Sequence, residues 1–311
     1  MNQRLNLHGI IPAHISPFRE DYSLDQQELR RHIRDLAGVE GVHGIISNGH
    51  AGEVTALSSQ EYVEILEIAK EEAGADIPII SGVVSETAAD AAEQARIAQK
   101  AGADAILLFP PNMFRSGGVL TSELPYRFVS TVADRVDIPI VLFQFAVESN
   151  CAYTTDTLVR LVETIPSIVA IKEGSNDMQR YEENVRALRQ CSNQVSILCT
   201  NNTKLLPSLA IDGDGIISGS GCVISDLLSK LFYAVKRNDL FAAREVYAQM
   251  FPLMQVFYAQ PLLDMHTRMK VALKMLGRQK YAVAREPLAQ IGEEEQARIR
   301  SALIKSGLLN G

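Results

Sequence analysis

The fold of this chain is decided by segments such as residues 102–109, which read GADAILLF. A glycine ends a helical stretch, and the chain then enters a run of buried apolar residues. Similar entries occur at 41–45 (GVHGI) and at 212–216 (DGDGI). A second type of entry, Asp-Ile-Pro before apolar residues, opens both 76–80 and 137–141. The recurrence indicates that one strand-and-helix unit is repeated along the chain.

Eight short apolar runs fit this unit. They are Gly9–Ala13, Gly44–Ser47, Ile79–Gly82, Ala105–Phe109, Ile140–Phe143, Val169–Lys172, Ser196–Thr200 and Gly215–Ser218. Almost wholly apolar runs of this length are typical of parallel strands that are covered on both faces. Helical patterns separate them; Asp25 is placed to cap the first, and Ser58 with Glu61 forms a capping box for the second.

Eight strands that alternate with helices predict a closed (β/α)8 barrel, the TIM barrel, over residues 1–237. An open doubly wound sheet is the rival, but it requires a glycine-rich turn after the first strand, and residues 13–18 (AHISPF) are not one. After residue 225 only helical patterns remain, interrupted by Pro252 and Pro261. We therefore expect residues 238–311 to form an appended C-terminal helical segment that packs on the barrel.

Composition narrows the class of protein. The net charge of the 311-residue chain is −7 and its pI is about 5.5, which argues against a partner such as nucleic acid or an anionic membrane. No run approaches the length of a membrane span, and residues 1–7 lack the apolar core of a signal peptide. The four cysteines form neither a C-x-x-C pair nor a zinc-type cluster. We expect a cytoplasmic protein without metal or cofactor.

The chemistry of such a barrel lies at the carboxyl ends of its strands. Lys172 closes the apolar run of the sixth strand. One interpretation is a lysine that leaves the strand for solvent. The other is an amine that faces the barrel mouth, where burial lowers its pKa and frees it to attack a carbonyl group and form a Schiff base.

Two glycine-bearing loops also follow strands. Residues 49–53 (GHAGE) form a tight turn, which either only links strand to helix or directs backbone N–H groups at a carboxylate. Residues 218–221 (SGSG) are interpreted as one wall of the pocket rather than as a phosphate site. His14 and His50 both lie at strand ends, whereas His43 precedes the second strand and has no predicted role.

These motifs together resemble the dihydrodipicolinate synthase/N-acetylneuraminate lyase family of class I, lysine-dependent barrels. Residues 16–18 (SPF) resemble its T-P-F, 49–53 its G-T-T-G-E loop, 171–173 (IKE) its I-K-E, and 215–218 (GIIS) its G-V-I-S. The resemblance implies a Schiff base on Lys172 and a tetramer built as a dimer of dimers. It also implies a set of substrate-binding residues: Ala51, Gly52, Phe143, Ile217 and Ser218.

The chain also departs from the family at functional positions. Phe143 stands where the family carries a tyrosine that relays protons, and a phenyl ring cannot do so. Asn112 lies near the position of a second tyrosine, which one subunit lends to its neighbour. Glu148 replaces an arginine that dihydrodipicolinate synthases use for a carboxylate, and His50 and Ala51 replace two hydroxyl residues of the loop.

The sequence therefore predicts a Schiff-base lyase, an aldolase or a dehydratase, for a 2-oxo acid such as pyruvate or a 2-oxo-3-deoxy sugar acid. The backbone N–H groups of His50 and Ala51 would hold the carboxylate. The His50 imidazole, with its ordinary pKa of about 6.5, would carry protons in place of the missing tyrosine. The alternative is that His50 only hydrogen-bonds the substrate or packs on Phe143. The alternatives are a non-catalytic barrel that binds a 2-oxo acid and a true dihydrodipicolinate synthase.

Overall fold

The computed structural model describes residues 5–310. The strands are β1 (Gly9–Pro12), β2 (Ile45–Ser47), β3 (Ile79–Val83), β4 (Ala105–Leu108), β5 (Ile140–Gln144), β6 (Ile168–Glu173), β7 (Ser196–Cys199) and β8 (Gly215–Ser218). The barrel helices are α1 (Gln26–Ala37), α2 (Ser59–Ala73), α3 (Ala88–Lys100), α4 (Glu123–Ala133), α5 (Thr155–Thr164), α6 (Met178–Leu188), α7 (Leu205–Asp212) and α8 (Gly221–Lys236). Every predicted run coincides with a strand to within about two residues.

The strands form one parallel sheet in the order β1-β8-β7-β6-β5-β4-β3-β2. Parallel bridges from Ile10 to Val42 and from Ala13 to Ile46 join the first strand to the second and close the ring. The predicted (β/α)8 barrel is thus confirmed. Both predicted caps are also present: the Asp25 carboxylate accepts the N–H of Glu28, and Ser58 and Glu61 bond reciprocally.

Alternation along the strands creates two apolar layers. In β4, Ala105 and Leu107 belong to the barrel interior, whereas Ile106 and Leu108 pack against the surrounding helices. Because every strand is buried on both faces, a polar residue that points inward has only the barrel mouth to face. This alternation determines which side chains reach the cavity described below.

Three further helices follow the barrel: α9 (Leu240–Phe257), α10 (Met265–Met275) and α11 (Glu293–Lys305). They form the expected C-terminal helical segment. α8 ends at Lys236 and α9 begins at Leu240, so residue 237 lies in the connection between them. The treatment of 1–237 and 238–311 as two units remains a prediction.

A buried ion pair ties this segment to the barrel. Lys270, on α10, is fully buried, and its ammonium group donates hydrogen bonds to the Glu53 carboxylate and, at 2.8 Å, to the carbonyl of Val283. The other carboxylate oxygen of Glu53 accepts the backbone N–H of Arg285 at 3.3 Å. Glu53 ends the glycine-bearing loop after β2. The C-terminal segment therefore holds that loop from behind.

We expect Lys270→Met to lower the free energy of unfolding by about 3–5 kcal/mol, because the Glu53 carboxylate would stay buried without its partner. Equilibrium denaturation with urea measures the loss. The variant that combines Lys270→Met with Glu53→Gln removes the stranded charge and should recover most of the stability. A double variant as unstable as the single one would show that the charge pair is not the source of the loss.

Candidate active site

A cavity of about 500 Å³ opens at the carboxyl ends of the strands. Its wall comes from the ends of β1, β2, β4, β5, β6, β7 and β8, and from the residues on either side of the start of α10. Three of the predicted site residues, His50, Phe143 and Lys172, lie in this wall. The rule that placed the chemistry at this end of the barrel therefore brings these three together.

Lys172 occupies the last inward position of β6. Ala170, two residues earlier, belongs to the barrel interior, and Lys172 continues the same face into the cavity. Its Nζ atom lies 3.8 Å from the centre of the Phe143 ring, which is its cross-strand neighbour on β5. Burial lowers the pKa of Lys172 to about 7. Close to neutral pH, a substantial fraction of this amine is unprotonated and nucleophilic.

An aromatic cluster lies beside the amine. Phe143 contacts Phe145 at 4.4 Å and Phe109 at 5.2 Å between ring centres, in both cases edge to face. The His50 ring joins this cluster 4.8 Å from Phe109 and 5.9 Å from Phe143. The apolar surroundings explain why the charged form of Lys172 is disfavoured.

The surroundings of His50 disfavour the charged form of its imidazole. Part of its ring is open to the cavity, yet the surrounding barrel mouth removes most of its bulk solvation, and the Lys172 charge adds to this effect. Both hold the pKa of His50 well below its ordinary 6.5. These surroundings disfavour a His50 that titrates near neutrality, and the sequence did not reveal the rings packed around it; the role of His50 as a proton carrier remains a prediction.

The turn at residues 49–53 is held by its own backbone and by its neighbours. Glu53 donates its N–H to the carbonyl of His50 at 2.9 Å, and the Ser16 hydroxyl donates to the carbonyl of Gly52 at 2.8 Å. A Cβ on Gly82, in β3, would lie 2.0 Å from the carbonyl oxygen of Asn48, so only glycine permits this approach. Within residues 5–310, the N–H groups at positions 50, 51 and 52 donate no hydrogen bond.

The other four predicted residues lie behind the cavity wall. Ala51 and Ile217 are buried in the barrel interior. The carbonyl of Gly52 is engaged by Ser16. Ser218 donates its hydroxyl hydrogen to the side-chain oxygen of Asn202 at 2.6 Å, and Asn202 itself lines the cavity. These four residues therefore support the cavity wall without lining the cavity.

The family model described as the Dihydrodipicolinate synthetase family matches residues 6–306. The chain belongs to this family. It is 30% identical over 305 residues to the 4-hydroxy-tetrahydrodipicolinate synthase of Methanothrix thermoacetophila, across 97% of this chain and 98% of the relative. For the Methanopyrus kandleri protein of the same name, the identity is 29% across 97% of each chain.

A solved structure agrees with this assignment. Dihydrodipicolinate synthase from Aquifex aeolicus matches with a TM-score of 0.86 at 27% identity, over 98% of this chain and all of that one. The resemblance stated from the motifs is confirmed, and the protein is a lyase of the family's class I type. Among residues 5–310, no helix is long and apolar enough to cross a membrane.

The structure shows where two residues that depart from the family pattern lie. Glu148 follows β5, is exposed, and lies outside the cavity wall. Asn112 follows β4 and is also exposed, and its amide donates to Glu86 at 2.8 Å. Arg115, a few residues beyond Asn112, does reach the wall. The arginine of this family member's cavity therefore comes from the β4 loop.

Sequence reasoning missed three titratable residues of the wall: Arg115, Tyr258 and His266. Tyr258 directly follows α9 and His266 is the second residue of α10, so both belong to the appended segment. In the sequence, the only sign of a functional role for Tyr258 and His266 was a polar or amphipathic side chain within an apolar helical pattern. That signal does not reveal which helix face lies over the barrel mouth.

The residue after Lys172 organises the rim. Glu173 points out of the barrel, where its carboxylate accepts hydrogen bonds from Asn184 at 3.0 Å, from Asn201 at 3.2 Å and from the Ser175 N–H at 3.3 Å. Burial raises the pKa of Glu173, although the hydrogen bonds from these donors act to lower it. Because Asn201 lines the cavity, Glu173 fixes the loops after β6 and β7 around the amine.

The lowered pKa of Lys172 predicts a pH-dependent stability. The folded protein releases the lysine proton near pH 7, whereas the unfolded chain keeps it to about 10.5, so unfolding takes up a proton between these values. This residue therefore penalises the fold most at and below about pH 7, and the penalty fades as the pH rises toward 10.5. Lys172→Met should unfold at a higher temperature than the parent near pH 6, with a gap that narrows toward about pH 10.

Thermal unfolding over this pH series tests the prediction. The matched control is Lys230→Met, which replaces an exposed lysine and should give no such pH-dependent gap. A gap for Lys172→Met that stays constant or widens with rising pH would contradict a lowered pKa at this residue.

Proposed function

We propose that this family member forms a Schiff base between Lys172 and a 2-oxo acid and uses it to cleave or dehydrate the substrate. The observation that carries the proposal is the buried amine, with a pKa near 7, at the end of β6 in a cavity of substrate size. A lysine that only stabilised the fold would gain nothing from this placement, because its burial disfavours the charge.

The chemistry follows from the amine. Neutral Lys172 attacks C2 of the 2-oxo acid, and loss of water gives an iminium ion. The positive nitrogen withdraws electrons, so that either a C3–C4 bond or a C3–H bond breaks and leaves an enamine. Phe143, whose ring centre lies 3.8 Å from the Lys172 nitrogen, lines this site. The first route is an aldol cleavage that releases pyruvate; the second leads to dehydration.

The loop after β2 is the proposed carboxylate site. The unpaired N–H groups at His50, Ala51 and Gly52 are donors that lack an acceptor within the described chain. A carboxylate at this turn would supply one, as anions do at backbone nests. We keep His50 in the site as a neutral imidazole that hydrogen-bonds substrate, and Ile217 and Ser218 as the supporting wall.

Away from Lys172, the cavity wall is better suited to a substrate with a hydroxylated chain than to one with a cationic group. Its wall presents neutral hydrogen-bonding side chains: Asn176, Thr200, Asn201, Asn202, Thr203 and Gln260. In the part of the chain that the structure describes, no aspartate or glutamate lines it. Amides and hydroxyls both donate to and accept from sugar hydroxyls. A 2-oxo-3-deoxy sugar acid is therefore the substrate class we propose.

A true dihydrodipicolinate synthase is the second candidate. It is favoured by Arg115, a guanidinium in the wall that could take a second carboxylate, and by the names of the relatives. Glu148 and Phe143 argue against it, since they replace the synthases' arginine for the second substrate and the family's relay tyrosine. A non-catalytic barrel that only binds a 2-oxo acid is the remaining alternative, and the buried amine argues against that one.

Assembly and compartment remain proposals as well. A tetramer built as a dimer of dimers is what the family resemblance implies. Exposed apolar side chains on the β4 loop and the start of α4, namely Met113, Leu120 and Leu124, are compatible with burial between subunits. The four cysteines are all free and buried, which fits the reducing cytoplasm that the sequence suggested.

Borohydride trapping tests the Schiff base. We expect incubation with pyruvate and then borohydride to add the mass of a reduced pyruvyl group to the peptide that carries Lys172. Lys172→Ala should abolish this adduct and keep the fold, because the side chain faces the cavity rather than the core. Mass spectrometry of the digest measures the adduct, and Lys230→Ala is the matched control, expected to trap normally.

Two results would contradict the proposal. Trapping retained in Lys172→Ala would move the Schiff base to another lysine. A parent protein that is never trapped, with pyruvate or with a panel of 2-oxo acids, would favour the non-catalytic alternative.

Turnover separates the two enzyme candidates. We expect condensation of pyruvate with aspartate semialdehyde to be absent or very low, because Glu148 stands where the synthases carry an arginine for the second substrate's carboxylate and Phe143 stands where they carry the relay tyrosine. Cleavage or dehydration of 2-oxo-3-deoxy sugar acids, followed as release of pyruvate or loss of substrate, should be the faster activity. Robust condensation, or complementation of a diaminopimelate auxotroph, would establish the second candidate instead.

A further inference from the structure

The cavity needs a group that moves protons, and Phe143 cannot be that group. Forming the Schiff base expels the carbonyl oxygen as water, which requires a proton donor, and forming the enamine requires an acceptor for a C3 proton. Five titratable side chains line the cavity in the described chain: His50, Arg115, Lys172, Tyr258 and His266. Lys172 is the nucleophile and a guanidinium does not release its proton. The choice is between Tyr258 and the two histidines.

Tyr258 reaches the cavity from the end of α9, and its phenol is fixed there. Its oxygen accepts the backbone N–H of Ser220 at 3.2 Å, just beyond the end of β8. Burial raises the pKa of Tyr258 to about 12, against the opposing effect of its contacts with Ser220 and Ser218. The phenol is therefore protonated at neutral pH, and the Ser220 N–H is already directed at the oxygen that would carry a negative charge.

The neighbouring hydroxyls leave the phenol proton available. Ser218 donates its hydroxyl hydrogen to the Asn202 oxygen at 2.6 Å. Ser218 is therefore the acceptor, and Ser220 the donor, in the 2.8 Å contact between the two serine hydroxyls. Both serine protons are then committed. In the described chain, the Tyr258 hydroxyl donates to no acceptor, and its proton is free for a ligand in the cavity.

Charge decides between the phenol and the imidazoles. A histidine that takes up a proton becomes a cation, and neighbouring positive charge opposes this. The pKa of His266 is well below its ordinary value, because burial, His50, Lys270 and Lys172 all disfavour the imidazolium. Lys172 has the same effect on His50. A phenol that gives up its proton becomes an anion, which the iminium on Lys172 attracts.

We propose that Tyr258 is the acid and base of Schiff-base chemistry in this chain, in place of the hydroxyl that Phe143 lacks. This inference rests on the function proposed above. After Lys172 adds to C2, the carbinolamine hydroxyl takes the Tyr258 proton and leaves as water, giving the iminium and a phenolate. The phenolate then removes a C3 proton, which gives the enamine and restores the phenol. In sum, the amine and the 2-oxo acid become the enamine and water.

Hydrogen exchange on pyruvate isolates this step without knowledge of the physiological substrate. In D₂O, each cycle of enamine formation and reversal places deuterium on C3, and proton NMR follows the loss of the methyl signal. We expect Tyr258→Phe to slow this exchange by about 10²–10⁴-fold, the usual worth of a general acid–base group. Borohydride trapping of pyruvate on Lys172 should still reach completion after long incubation, because the nucleophile is intact.

Two further variants separate chemistry from structure. Tyr233→Phe removes a phenol that contacts His43 at 3.1 Å near the opposite end of the barrel, and it should exchange at the parent rate. Phe143→Tyr combined with Tyr258→Phe supplies a phenol on β5, next to Lys172, and should recover much of the lost exchange. A role of Tyr258 in packing alone would not be rescued by a hydroxyl on another strand.

The outcomes are distinct. Exchange in Tyr258→Phe within a few-fold of the parent overturns the inference, as does a loss in His50→Gln or His266→Gln that Tyr258→Phe does not match. A Tyr258→Phe protein that loses both exchange and trapping, without rescue by Phe143→Tyr, points to packing and also overturns it. If the parent itself neither traps nor exchanges any 2-oxo acid, the function proposed above fails, and this inference fails with it.

Discussion

Closure of the eight parallel strands into a barrel is the constraint from which the site follows. A closed parallel sheet is buried on both faces, so each strand has one set of side chains that must fill the interior and another that must meet the helices. The last inward position of β6 is the one place on that strand where a polar group can open onto a cavity. Lys172 occupies it, with Phe143 beside it on β5. The same burial that stabilises the barrel thus lowers the pKa of the amine.

The appended helices contribute side chains to the cavity wall rather than merely cover the barrel. Lys270 anchors the loop after β2 through Glu53, and Tyr258 and His266 enter the cavity wall from the same segment. Arg268, two residues before Lys270 on α10, is also fully buried. Its guanidinium group donates hydrogen bonds to the Glu295 carboxylate and to the carbonyl of Ala259, each at 2.6 Å. Rigid support of α10 is what allows its side chains to be placed with the accuracy that catalysis requires.

Electrostatics give the cavity a consistent character. Arg115 supplies positive charge, and Lys172 adds to it whenever its nitrogen is an ammonium or iminium; burial disfavours the charged forms of His50 and His266, and the lining of the described chain contains no carboxylate. Such a site favours an anionic ligand and anionic intermediates. A 2-oxo acid brings its own carboxylate, and the open N–H groups of the β2 loop lie in the same mouth. Positive charge also makes a phenol a better proton carrier here than an imidazole, which gains a charge of the wrong sign.

The sequence by itself determined the barrel, its eight strands, the helix caps at Asp25 and Ser58, and the position of Lys172, because these depend on local periodicity and on the rule that strand ends meet at one rim. It also pointed to the β2 loop. It did not determine the low pKa of His50, the distance of Glu148 from the cavity, or the arrival of Tyr258 and His266. Those depend on which face of α9 and α10 lies over the barrel mouth, and on rings from β4 and β5 that surround a residue of the β2 loop. Contacts between segments so far apart in the chain are set by packing of the whole molecule, so only the tertiary structure decided them.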